Sequence, residues 1–154
     1  MVILYRIDEV EGTDSVFFDF SKKLEDFQFN LMPVLKEKGY NLTENLEEIT
    51  GFILYINRKP VGSIGLKKIN DETCEIVRVF VDEVCRGNGY SRLLFEKVES
   101  YAKNIGYKKA EMVAWCKADS ALALYKKLGY SFSEEKESEW FAGLRYVELS
   151  KDLK

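Results

Sequence analysis

The chain contains no histidine. That absence excludes Ser-His-Asp and Cys-His nucleophile pairs, an imidazole general base and histidine metal ligation, so any chemistry must come from Glu, Asp, Tyr, Lys or the backbone. Cysteine is nearly as scarce. Cys74, Cys85 and Cys116 are odd in number and lack C-x-x-C spacing, which argues against a disulfide framework and a zinc site and leaves reduced thiols in or near the core. Only two prolines interrupt the chain, and no apolar run approaches the length needed to cross a bilayer. The opening Met1-Val2-Ile3-Leu4-Tyr5-Arg6-Ile7-Asp8 has no basic lead, no long apolar stretch and no small-residue cleavage site, so the expectation is a cytoplasmic protein without a secretory signal. What is present fits a packed globular protein: 154 residues, 46% apolar, 32% charged and 14% aromatic, a size that predicts one domain over 1–154 with one core.

Charge is distributed unevenly around a net of −3. Residues 1–50 carry 5 basic and 11 acidic groups, residues 51–130 carry 14 and 9, and residues 131–154 carry 4 and 6. A basic island in an acidic chain suits a polyanionic ligand held by the middle segment and a cationic partner drawn to the remainder, although solvated faces give the same pattern. The acidic balance argues against nucleic-acid binding.

Periodicity supplies the element order. Val2–Glu9 alternates as a strand, and Gly12-Thr13-Asp14 supplies a turn and a helix N-cap. Phe17, Phe20, Leu24 and Phe27 form one helical stripe. A second helix is expected over Asn30–Lys38, with Pro33 in its first turn and Gly39 ending it, and residues 40–50 as a helix fragment or mobile loop. Phe52–Arg58 and Val61–Lys68 read as a hairpin, and Asn70-Asp71-Glu72 as a second tight turn. Thr73–Val81 is nearly continuous in β-branched and aromatic residues and is expected to be a central strand buried on both faces. Leu94, Val98, Tyr101 and Ile105 then mark a helix closed by Gly106, and Lys109–Cys116 a strand, which makes a right-handed parallel crossover. Asp119 is expected to cap a helix that Gly129 stops, and Tyr130–Glu135 with Arg145–Leu149 to form a final antiparallel pair around a loop holding Trp140 and Phe141.

The turn Arg86-Gly87-Asn88-Gly89-Tyr90-Ser91 lies between the central strand and the long helix. Unpaired N–H groups of a first helical turn, converging with the positive end of the dipole, form an anion site, and two glycines let a phosphate approach the backbone while Arg86 adds charge. The third glycine of a dinucleotide fingerprint is missing, since position 92 is Arg, and so is the Gly-Lys-Ser/Thr of a Walker loop.

Read with its flanks, the turn becomes specific. Cys74–Val81 followed by Arg86-x-x-Gly89-x-Ser91 resembles the signature of the GNAT superfamily of acetyl-CoA-dependent N-acetyltransferases. Ala121-x-x-Leu124-Tyr125-x-Lys127-x-Gly129-Tyr130 is similar to that family's second hallmark helix. The resemblance is close over 51–130, looser in the terminal strands, and limited to element order over 1–50. It implies an α/β fold: a mixed, mostly antiparallel twisted sheet with helices on both faces and a splayed parallel central strand pair. It also implies acetyl-CoA as cosubstrate without a metal, an amine acceptor, no nucleic-acid or membrane partner, and compatibility with a homodimer.

By the same resemblance, Val79 and Val81 lend backbone groups to the pantetheine arm, the Val79 N–H polarises the thioester carbonyl, and the pyrophosphate rests on the N–H groups of Gly87, Asn88, Gly89, Tyr90 and Ser91. Two departures stand out: Ser91 closes the turn in place of Gly or Ala, and Ala118 occupies a position where many members have a cofactor-contacting Asn. Tyr125 matches the tyrosine near the coenzyme sulfur, and a neutral phenol can donate a proton to a departing thiolate. A core tyrosine on the Ala121/Leu124/Leu128 face is the other reading. Glu75 stands where relatives place a general base, and apolar flanks would raise its pKa; a structural acid paired with Arg78 or a lysine is the alternative. Arg78 reads as a structural or substrate-side charge. Trp140 and Phe141 are candidates for the acceptor wall, with simple packing as the alternative. The acidic first 50 residues favour a cationic acceptor such as a polyamine, an aminoglycoside-like amine, or a protein N-terminus or lysine. The competing functions are a non-catalytic acyl-CoA-binding module and a protein binding some other nucleotide in its basic island.

Overall fold

A computed structural model describes residues 4–154. Its elements run β1 (Tyr5–Glu11), α1 (Ser15–Leu31), α2 (Pro33–Glu37), β2 (Ile49–Ile56), β3 (Lys59–Lys68), β4 (Thr73–Val81), α3 (Tyr90–Asn104), β5 (Lys109–Trp115), α4 (Asp119–Lys127), β6 (Ser131–Phe132), β7 (Lys136–Glu137) and β8 (Arg145–Asp152). The sheet order is β1-β2-β3-β4-β5-β8-β6, with β7 also on β8. Every pairing is antiparallel except β4 with β5.

Local chemistry explains most boundaries. The Asp14 carboxylate accepts from the Val16 and Phe17 N–H groups at 3.0 and 3.2 Å, which starts α1. Pro33 pushes Met32 into extended backbone (φ −138, ψ 80), so α1 stops at Leu31 and α2 begins at once. Asn57 and Arg58, both at positive φ, turn β2 into β3. Three expectations shift. The first strand runs on to Glu11, while Val2 and Ile3 lie outside the described residues. Residues 40–50 hold a short 3₁₀ turn, Leu46–Glu48, followed directly by β2. Asp119 is the first helical residue of α4 rather than its cap; Ala118 occupies the cap position without a side-chain bond, and the Asp119 charge still favours the helix dipole.

Of three apolar clusters among the described residues, the two larger lie on opposite faces of the sheet, and a third gathers Met32, Leu35 and Leu144. On one face Phe52, Ile64, Ile76, Met112 and Leu149 pack under α3 and α4 through Leu94, Phe95, Val98 and Tyr125. On the other, α1 docks through Phe17 and Phe20 against Ile49, Ile53 and Phe80. The α1 contact is set by two glycines facing each other across the β2/β3 ladder, Gly51 and Gly65. A Cβ on Gly51 would stand 2.6 Å from the Phe17 ring, and one on Gly65 3.1 Å from its Cζ. The ring therefore lies in a slot that only glycine leaves open.

Gly51→Ala forces the ring out of this slot. The expected cost of such overpacking is ~1–3 kcal/mol. For a chain of this size that corresponds to a Tm lowered by roughly 3–10 °C, read from a thermal melt by circular dichroism.

Candidate functional site

The site begins where the two parallel strands stop pairing. β4 and β5 are joined only at Thr73, Cys74 and Glu75 against Lys109, Ala110 and Glu111. Beyond that, Ile76–Val81 and Met112–Trp115 diverge as the arms of a V. This is why Val77, Arg78 and Val79 are half-buried, where the sequence suggested burial on both faces.

A β-bulge turns the open edge of β4. Ser63 pairs with Phe80 and Gly65 with Val77, so Ile64 alone opposes both Arg78 and Val79. Arg78 takes φ 56, the left-handed region, and its carbonyl accepts a hydrogen bond from the fully buried Ser63 Oγ at 3.1 Å. The Asp82 N–H donates to Val61 O at 2.8 Å, and the Phe80 carbonyl lies against Gly62, so both groups point toward β3. By strand alternation the backbone groups of Val79 and Val81 point the other way, into the V. The Val81 carbonyl there already accepts from Arg86 Nε at 3.0 Å.

The turn before α3 presents an open row of donors. Gly87 and Gly89 adopt φ 85 and 77, and Gly89 is the N-cap of α3 without any side-chain cap. The N–H groups of Gly87, Asn88, Gly89, Tyr90 and Ser91 have no backbone acceptor among the described residues. The Asn88 side chain is occupied, donating to Cys85 O at 2.9 Å, so only its backbone faces the turn. The Arg86 guanidinium stacks over Phe27 and Phe80 at 4.9 and 5.3 Å, and with Nε on Val81 it ties α1 to the end of β4 beside the turn.

Tyr125 and Glu75 lie on opposite faces of the sheet. Tyr125 projects from α4 into the α3 cluster, its ring 5.6 Å from Phe95; burial alone pushes its phenol up to about 12, and its hydroxyl has no partner among the described residues. Glu75 sits at the crotch of the V on the α1/α2 side, opposite Lys67 on β3 and Glu111 on β5. It opens onto a groove that mixes the carboxylates Glu111 and Glu148 with apolar side chains such as Ile69, Val113 and Phe132.

Of the aromatic lining on that side, the sequence reading named Phe141 but not its partners. Tyr40, Trp115 and Phe141 meet edge to face, with ring centroids 5.5–6.2 Å apart, and Tyr146 joins at 6.4 Å from Trp115. Phe141 thus packs within this aromatic group, whereas Trp140 is 80% exposed. Glu25, a buried carboxylate of α1, accepts from the Leu42 N–H at 2.7 Å, and Arg78 Nε donates to the Leu42 carbonyl at 2.8 Å. These two bonds pin the segment read as a mobile loop. The clue available in the sequence was a lone cation inside a β-rich run. Among the described residues no cluster could hold a metal ion and no helix is long and apolar enough to cross a membrane.

Comparison with known proteins points one way. The model of the acetyltransferase (GNAT) family matches residues 17–130. A protein named as an uncharacterized N-acetyltransferase from Methanocaldococcus jannaschii is 35% identical over 92 residues, 56% of this chain and 39% of that one, so the match spans well under half of the relative's length. A proposed acyl-CoA N-acyltransferase from Klebsiella pneumoniae superposes with TM-score 0.78 at 20% identity over 98% of this chain and 99% of the other. A GNAT family acetyltransferase from Elizabethkingia anophelis, solved with acetyl-CoA bound, gives 0.72 at 19% over 97% and 98%. At these identities the structures speak to the fold alone.

The buried phenol carries a pH signature. A folded-state pKa of about 12 against an ordinary 10.0 means that the unfolded chain loses this proton first, so stability falls between pH 10 and 12. Tyr125→Phe removes that contribution, about 2–3 kcal/mol across the window, and is expected to flatten the alkaline decline of Tm between pH 9.5 and 11.5 relative to the parent chain.

Proposed function

The chain belongs to the acetyltransferase (GNAT) family, and from that premise we propose that it is an N-acetyltransferase that moves the acetyl group of acetyl-CoA directly to a primary amine. The observation that carries the proposal is the V between β4 and β5, with the backbone of Val79 and Val81 aimed into it and the open donors of Gly87–Ser91 at its end. A thioester with a diphosphate tail matches both parts. The N–H row and dipole of α3 suit the pyrophosphate, and a strand edge on which Val79 has no ladder partner suits the amide-bearing pantetheine arm. The Elizabethkingia relative solved with acetyl-CoA bound supports this choice of cosubstrate.

In the proposed step a neutral amine nitrogen attacks the acetyl carbonyl carbon. The Val79 N–H stabilises the developing oxyanion, the C–S bond breaks, and the thiolate leaves with a proton from the Tyr125 hydroxyl. Glu75, unpaired among the described residues, takes the proton shed by the ammonium, directly or through water. No metal enters the scheme. We read residues 1–154 as one N-acetyltransferase domain, active in the cytoplasm, with the acceptor entering from the side of α1, α2 and the Phe141 loop. A non-catalytic acyl-CoA-binding module is the alternative, in which Tyr125 serves only as a core residue beside Phe95.

Acetyl-CoA at ~100 times its Kd is expected to add about 2.7 kcal/mol and raise Tm visibly, while NAD does not. Gly89→Val, which places a β-branched side chain at φ 77, should abolish that shift. Equal, null responses of the parent chain to acetyl-CoA and NAD would sink the cofactor assignment. For the chemistry, Tyr125→Phe is expected to lower turnover by roughly 10²–10⁴-fold, followed as free thiol release, with the acetyl-CoA shift retained. Unchanged turnover would remove Tyr125 from the mechanism.

A further inference from the structure

Arg78 is a cation with only part of its hydrogen-bonding capacity used. Nε donates to the Leu42 carbonyl, but Nη1 and Nη2 have no acceptor among the described residues, and no carboxylate there lies within ion-pair distance. Burial pushes its pKa below the ordinary guanidinium range, an effect that Tyr40, Glu75 and Glu25 offset only in part. The bulge keeps it this way, because φ 56 carries the side chain to the same face of β4 as Glu75. Two carboxylates influence it. Glu25 is already occupied by the Leu42 N–H and by Lys22 Nζ at 2.9 Å. Glu75 is free but held apart from Arg78 along the strand. Two opposite charges, each without a partner and fixed on one face, form a receptor for a molecule carrying both signs.

Resting on the acetyltransferase reading, we infer that the acceptor is an amine that also bears a carboxylate, an α-amino acid in its simplest form. Arg78 holds the carboxylate through Nη1 and Nη2, and Glu75 faces the amine. The guanidinium fork matches a carboxylate in shape as well as charge, and the adjoining Tyr40 excludes water from one side. A polyamine would set a second ammonium against Arg78. The coenzyme phosphates are not competitors for this cation, because the donors suited to them lie at the α3 turn, while Arg78 turns toward α1 and Leu42. The acidic excess of residues 1–50 favours a cationic acceptor; at the site itself Arg78 adds a positive charge without an ion-pair partner on the same face as Glu75.

The test compares each amino acid with its own decarboxylated amine: phenylalanine with phenethylamine, leucine with isoamylamine, and lysine with cadaverine. Acetyl-CoA-dependent thiol release is followed for the parent chain, Arg78→Gln and Arg78→Lys. The parent chain is expected to favour the carboxylate-bearing member of at least one pair by roughly 10–100-fold in kcat/KM, mainly through KM. That ratio should collapse toward one in Arg78→Gln and fall part of the way in Arg78→Lys, with the acetyl-CoA melting shift retained in both. A parent chain that treats the pairs alike, prefers the amines or turns over neither overturns the inference, as does an Arg78→Gln variant that loses both members of a pair equally. If Arg78→Gln fails to fold, the parent ratios and Arg78→Lys still decide. Loss of the acetyl-CoA shift in the parent chain would instead overturn the acetyltransferase reading itself.

Discussion

The short parallel ladder between Thr73–Glu75 and Lys109–Glu111 governs the rest of the site. Had it continued, the backbone of Val79 and Val81 would be spent on β5 and the strand would offer nothing to a ligand. Its early end leaves polar groups without a sheet partner at the centre of the molecule, a costly arrangement unless a ligand or water completes them. Packing above and below keeps the arms apart: Tyr125 and Phe95 on one side, Tyr40, Trp115 and Phe141 on the other. The bulge at Arg78 supplies the remaining adjustment. It shifts strand parity by one residue, so Val79 and Val81 pack toward α3 while Val77 and Phe80 pack toward α1. Ser63 anchors the displaced peptide from within the sheet.

The order of elements was legible because each carried its own local signal. Asp14 caps, Pro33 breaks, Gly39, Gly106 and Gly129 terminate at positive φ, and the run Thr73–Val81 reads as a strand to the residue. The resemblance in the Arg86–Ser91 turn and the Ala121–Tyr130 helix pointed to the family and the splayed sheet. Less legible were features that depend on long-range partners. The bulge leaves no trace in an apolar pattern, because Val77, Val79 and Phe80 suit a regular strand equally well. The segment around Leu42 looks mobile until Glu25, 17 residues away, and Arg78, 36 residues away, are seen to hold its two backbone groups. The stacking of Arg86 on Phe27 is likewise a long-range contact that spacing cannot reveal.

Bulk charge and local charge carry different information in this chain. The acidic excess of residues 1–50 is largely on exposed helix surface or spent in pairs such as Lys22 with Glu25 and Asp26, and Arg6 with Asp8. The exposed pairs among these, Lys22 with Asp26 and Arg6 with Asp8, contribute little stability and are screened by salt. The side chains that face the V are few, half-buried and only partly compensated, which is where a small number of charges exerts the greatest influence.

Taken together with the lack of histidine, the burial of Tyr125 has a consequence for how the protein responds to its surroundings. Desolvation keeps this phenol in one protonation state well past neutrality, and the buried Cys74 thiol is likewise held up at about 11. Neither group can act as a sensor near neutral pH. For the proposed transfer, the rate would then follow the small neutral fraction of the incoming amine and rise with pH as that fraction grows. Acidification of the surroundings would be read by the acceptor's own basicity, and a change of acceptor alone would reset the working range without altering a single residue of the protein.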